Sequence, residues 1–195
     1  VLMFKGLEVD DKLITFWTSL ILLPWTLKPL WSPFLELFRT KKFFVIVTQL
    51  ITGVTFGLVA FALNLSHFFS ISIALLAIVA FSGATHDIAC DGVYMSELSN
   101  EDQAKFIGWQ GAFYNIAKIL ATGGLVYLAG YFIELNADAG LLTANKRAWM
   151  IILLILSVTM ILLGIYHLFA LPSTQSASSK KTLRSNKEVM KELGQ

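Results

Sequence analysis

The chain has 195 residues, of which 56% are hydrophobic and only 14% charged, and its mean hydropathy of +0.69 excludes a soluble domain with a solvated surface. A formal net charge of +2 gives no basis for attracting nucleic acid, and the single cysteine, Cys90, excludes an intramolecular disulfide. An all-α integral membrane protein remains, expected to be multi-pass in a plasma membrane, the inner membrane if bacterial.

The chain opens on "VLMFKGLEVDD", which has neither a basic leader nor a small-residue cleavage site, so no signal peptide is expected. Crossing about 30 Å of hydrocarbon takes roughly 20 helical residues, and helices satisfy the backbone there. Five stretches qualify, at residues 13–34, 43–63, 68–90, 106–133 and 148–171, with 172–195 left as a cytoplasmic linker or tail. They lack the period-two alternation of β-barrel strands.

The first stretch contains "LPWTLKPLWSPF", in which Pro24, Pro29 and Pro33 remove the usual donors to the carbonyls of Leu20, Trp25 and Pro29. A bend is expected there. Lys28 lies near the depth of Asp87, so the two can pair, while Trp31 and the later Trp149 read as interfacial anchors. The second and fifth stretches carry no Asp, Glu, Lys or Arg.

The third stretch runs into "SGATHDIACDGVYMSEL". On a helix, Asp87 and Asp91 share one face about 6 Å apart, with Ala80, Gly83, Ala84 and Tyr94 nearby. Small residues admit a close neighbour, and two carboxylates in a low dielectric can load and release a proton. The plainer reading is that Asp91 marks the helix end and Asp87 satisfies a lysine. His86 points about 100° away and reads first as a hydrogen-bonded packing residue. His86, Asp87, Cys90 and Asp91 cannot wrap a cation from one helix, so no metal or cofactor is expected.

"LSNEDQAKF" supplies Ser99 with Asp102 three residues on, an N-cap pattern before the fourth stretch. Within that stretch Lys118 lies near mid-membrane, and Gly111, Tyr114, Asn115 and Thr122 share its face. An ammonium at that depth faces a bundle interior or a water cavity, so Lys118, Asn115 and Tyr114 are candidate contacts for a polar solute. The alternative is a structural Lys–Asp pair. Gly123 and Gly124 read as sites of close helix packing. In the tail, which is low in apolar residues, "NKEVMKELGQ" reads as a short surface helix.

Nine Lys and Arg residues fall on the side of "ELFRTKK" and the tail, against four on the other, with Lys28 and Lys118 intramembrane. That bias places "ELFRTKK", "YMSELSNEDQAK" and the tail in the cytoplasm. Five spans then put Val1 outside, and one further helix before it would complete a six-helix unit, half of a two-half transporter.

"LKPLWSPFLELFRTKK", followed about fifty residues on by "ATHDIACDGVYMSEL", resembles the branch of the major facilitator superfamily containing AmpG-like muropeptide permeases and acetyl-CoA transporters. The resemblance covers nearly the whole chain, with the five spans as helices two to six of twelve. It implies the N-terminal half of a major facilitator bundle, ion-driven solute movement, and an acidic pair in helix four, here Asp87 and Asp91. In the superfamily the loop between helices two and three latches a cytoplasmic gate with a glycine, an acid and basic residues. Here Ser32 stands for the glycine, Glu36 for the aspartate and Leu37 for an arginine, with displaced positive charge at Arg39, Lys41 and Lys42. The antiporter-type glycine-proline pattern is missing, which favours symport.

The expected function is therefore secondary active transport of a polar organic solute, muropeptide-like or sugar-like, by proton symport. Asp87 and Asp91 would couple protons, with Lys28 as counter-ion. Partners would be the solute, protons, the lipid bilayer and a C-terminal half. The rival reading is a non-transporting membrane assembly or receptor protein whose buried charges only fix helix packing. No serine–histidine pair, metal cluster or phosphate-binding glycine loop suggests an enzyme.

Overall fold

Hydropathy fixes the large elements of this chain, and short polar caps fix where they begin. The computed structural model describes residues 1–38 and 40–172, without the side chains of 36–38. Arg39, and the tail with its expected helix at 186–195, lie outside the described residues. The elements are α1 (Leu2–Gly6), α2 (Asp11–Ile21), α3 (Leu23–Phe38), α4 (Lys41–Ala62), α5 (Phe68–Glu97), α6 (Asn100–Ile119), α7 (Leu125–Leu135) and α8 (Leu141–Ala170). A wide π turn at Leu120–Gly124 joins α6 to α7, and a 3₁₀ turn at Ala137–Ala139 follows α7. No strand occurs among the described residues. Five helical segments are long and apolar enough to cross a membrane, with α2–α3 and α6–α7 each counting as one.

Local chemistry explains the boundaries. Asp10 accepts from the N–H groups of Lys12 and Leu13 at 2.9 and 3.3 Å, opening α2. Thr40 accepts from Phe43 N–H at 3.2 Å to open α4, and Ser99 accepts from Asp102 N–H at 3.1 Å to open α6. Each cap satisfies a backbone donor that has no partner within its helix. The expected bend of the first span is a break at Leu22, just before Pro24, while Pro29 and Pro33 stay inside α3. The helix resumes because a proline in the first turn removes only a donor that is free there anyway.

The third, fourth and fifth spans extend well past their hydrophobic runs. α5 continues to Glu97, so Asp91 lies in the body of the helix and does not mark its end, which corrects the plainer reading of that residue. Helix propensity does not stop at the edge of an apolar run. Only the extended backbone of Leu98 and the Ser99 cap end α5.

α4 is the middle of the bundle, packed between α5 and α8; α2 and α3 lie against α5, and α7 lies against α8. Gly53 of α4 lets α8 approach closely: a Cβ there would stand 3.0 Å from the Ser157 carbonyl oxygen and 3.1 Å from the Ile161 nitrogen. At one end of the bundle, Phe4, Ile14, Val59, Leu63 and Ile73 form a buried core. This core draws in the short α1, with Phe4 edge-on to Phe69 at 5.1 Å. At the other end Lys42 donates to the carbonyl of Leu171 at 2.7 Å, so the start of α4 and the end of α8 share one side. α6 differs from all of these. None of its residues is buried, and it packs chiefly with the wide turn that follows it.

Candidate functional site: an intramembrane ion pair beside a polar seam

The site is built on α5, which presents different groups to α3 and to α4. On the face toward α3, Gly83 leaves room for the Trp25 ring, to which a Cβ at Gly83 would come within 3.3 Å. That close approach brings Lys28, three residues further along α3, to Asp87, and the two form an ion pair. Their side chains are 23% and 51% exposed, so the lysine is the more enclosed partner. Asp91 lies one turn further on the same helix, exposed, and forms no ion pair among the described residues. The expected pairing of Lys28 with Asp87 is thus present.

Toward α4 the same helix is polar but closed. Ser82 donates to the carbonyl of Thr48 at 2.9 Å and accepts from the Thr52 hydroxyl at 3.1 Å. His86 joins this seam, with Nδ1 3.0 Å from Thr48 Oγ1 and Nε2 3.3 Å from Cys90 Sγ. One residue along α4, Gln49 meets His167 of α8 at 2.8 Å, carrying the polar layer across to the third helix. Buried polar groups require such partners, and His86 has the packing role its position suggested. The seam itself has a sequence signal, hydroxyl residues four apart at Thr48 and Thr52 opposite Ser82 and His86. That signal is ambiguous because such hydroxyls also bond their own helix, as Thr48 does to the Phe44 carbonyl at 2.7 Å.

The other expected site residues are dispersed. Lys118, Asn115 and Tyr114 are exposed on α6, which adjoins α5 at the junction where Tyr94 donates to the Gln103 carbonyl at 2.7 Å. Asn115 donates to the Gly111 carbonyl and Thr122 to the Lys118 carbonyl, both at 2.8 Å. Lys118 has no ion pair among the described residues, so the structural Lys–Asp alternative finds no support there. Gly123 faces open space and Gly124 touches only Leu120 of its own turn, so neither serves close packing. Their place in the π turn answers to local backbone geometry. Trp31 lies against Phe81, with ring centroids 4.7 Å apart and a tilt of 33°, and its buried indole nitrogen has no hydrogen-bond partner among the described residues.

Of the expected gate residues, Lys42 holds the end of α8 and the stem of Lys41 lies along Gly92 of α5. The Glu36 side chain and Arg39 lie outside the described residues. A cavity of about 320 Å³ opens where α2 breaks, lined by Trp17, Ile21, Pro24, Phe69 and Ile73 among others. Its walls suit an apolar occupant, and the polar stripe of α6 is not among them. Among the described residues, no three His, Cys, Asp or Glu side chains converge as metal ligands.

No protein-family model, curated protein or solved structure matches this chain. An ammonium and a carboxylate are paired between two helices long and apolar enough to cross a membrane, with a second carboxylate one turn away.

Proposed function

We propose that the chain is part of a secondary active transporter of the major facilitator type, moving a polar organic solute by proton symport. The observation that carries this reading is the Lys28–Asp87 pair within two candidate spans, with Asp91 beside it forming no ion pair among the described residues. Ionisable groups at membrane depth are expensive, and they mark proton or solute paths more often than they serve packing alone. Asp87 and Asp91 are the proton-coupling groups, Lys28 is the counter-ion, and the stripe of Lys118, Asn115 and Tyr114 faces the solute and a C-terminal half. Muropeptides and sugars are the solute classes favoured by the motif resemblance around Lys28 and Asp87.

Proton-driven uptake and counterflow in vesicles, with a radiolabelled muropeptide and a hexose as probes, test the reading. Asp87→Asn keeps the shape of a protonated acid but cannot release a proton. Gradient-driven accumulation should fall to background while counterflow persists. Full accumulation by Asp87→Asn, Asp91→Asn and the double variant would remove protons from the mechanism.

One observation favours a second reading. α6 presents a whole helix with no buried residue, as a membrane assembly or receptor protein would to a partner. That reading expects Lys28→Met combined with Asp87→Leu to leave the protein fully active.

A further inference from the structure

Beside the ion pair stands a second carboxylate, Asp91, which forms no ion pair among the described residues. Asp91 follows Asp87 by four residues in an unbroken helix, so the two carboxylates stand on one face, about 6 Å apart along the axis. The charged groups around the pair are few. α3 contributes Lys28, and α4 contributes Lys41, whose stem lies along Gly92 next to Asp91. α2 carries its own charges, Asp11 and Lys12, at its far end. A lysine stem has four rotatable carbons, so the ammonium can cover one helical turn while Trp25 stays seated on Gly83.

We propose that Lys28 has two seats, Asp87 and Asp91, and that loss of charge on Asp87 hands the ammonium to Asp91. A proton added to Asp87 forms one O–H bond on its carboxylate. Lys28 keeps all three of its N–H bonds, and no proton passes between the two residues. Once neutral, Asp87 no longer attracts the ammonium, and the nearest ionised carboxylate on the same face is Asp91. In this exchange Asp87 is the seat the lysine leaves and Asp91 the seat that receives it. The use of this exchange in coupling rests on the transporter reading; the exchange itself does not.

Thermal unfolding of the full chain in detergent reads the exchange without any solute. Asp91→Asn alone should shift Tm by less than about 2 °C, because Lys28 remains on Asp87. In an Asp87→Asn background the same change should lower Tm by about 5 °C or more, because it strands the ammonium, and adding Lys28→Met should restore the loss. Equal effects of Asp91→Asn in both backgrounds would overturn the proposal. Where the double variant does not fold, the single Asp87→Asn protein is treated with a hydrophobic carbodiimide, which joins adjacent amine and carboxyl groups as an amide, and its peptides are weighed. A Lys28–Asp91 link upholds the second seat, and its absence overturns it. Absence of both uptake and counterflow in the parent protein, with the link present in Asp87→Asn, would count against the transporter reading alone.

Discussion

α4 and α6 are both helices of membrane-spanning segments, yet the chain treats them in opposite ways. Half of the most apolar window of α4 is buried within the protein, against 6% for the α6–α7 span. Polar side chains on α4 reach across to other helices, as Thr52 does to Ser82 and Gln49 to His167. Those on α6 turn back on their own helix, as Asn115 does to Gly111. The contrast separates polarity used for cohesion from polarity left facing outward. The Lys28–Asp87 pair fits the same contrast: α5 is packed against α4 on one side and carries the pair on the side toward α3.

The largest test of this contrast sets two glycines against each other. Gly53→Leu drives a side chain into the backbone of α8 at Ser157, which cannot retreat without parting the two helices. Overpacking of this kind costs about 1–3 kcal/mol or more, and we expect lost expression or a Tm many degrees lower. Gly123→Leu meets open space and should change Tm by no more than about 2 °C. Equal losses at both positions would mean that α6–α7 is packed as tightly as α4.

A smaller effect separates two polar residues. Ser82→Ala removes the acceptor of the buried Thr52 hydroxyl and the donor to the Thr48 carbonyl, leaving buried groups unpaired at a cost of about 1–3 kcal/mol. Asn115→Ala removes an exposed bond within one turn and should stay within about 0.5 kcal/mol. Chemical denaturation of the two variants beside the parent measures both. A silent Ser82→Ala would show that the seam contributes nothing to cohesion.

What the sequence revealed follows the same division. The five spans were legible because burial in hydrocarbon demands long apolar runs, and the break before Pro24 was legible because a proline within a span withholds a donor. The Lys28–Asp87 pair could be placed because both residues lie at similar depth on helices running the same way. Helix ends beyond the apolar runs were not legible, since Glu97 is as compatible with a helix as with a loop. Nor was the burial of α1: a five-residue helix is too short for periodicity to show that Phe4 points inward. The seam at Thr48, Ser82 and His86 was hidden because hydroxyls in membrane helices can bond their own carbonyls equally well.

The finest test is Lys118→Met, because what surrounds this residue decides the sign of its effect. An ammonium at the centre of a lipid-facing helix costs about 2.5–3.5 kcal/mol on insertion scales. If α6 faced lipid, replacing Lys118 by methionine would remove that cost, and the variant would be more stable than the parent. If the stripe faces an aqueous path, the ammonium is already hydrated, and the exchange changes Tm by about 2 °C at most. We expect the second outcome, together with weaker binding of the muropeptide probe. A hydrogen bond to a charged group contributes about 1.5–3 kcal/mol, so affinity should fall roughly ten-fold to a hundred-fold. A marked gain in stability with unchanged affinity would assign the stripe to lipid and leave the solute path to the face of α5 that carries Asp87 and Asp91.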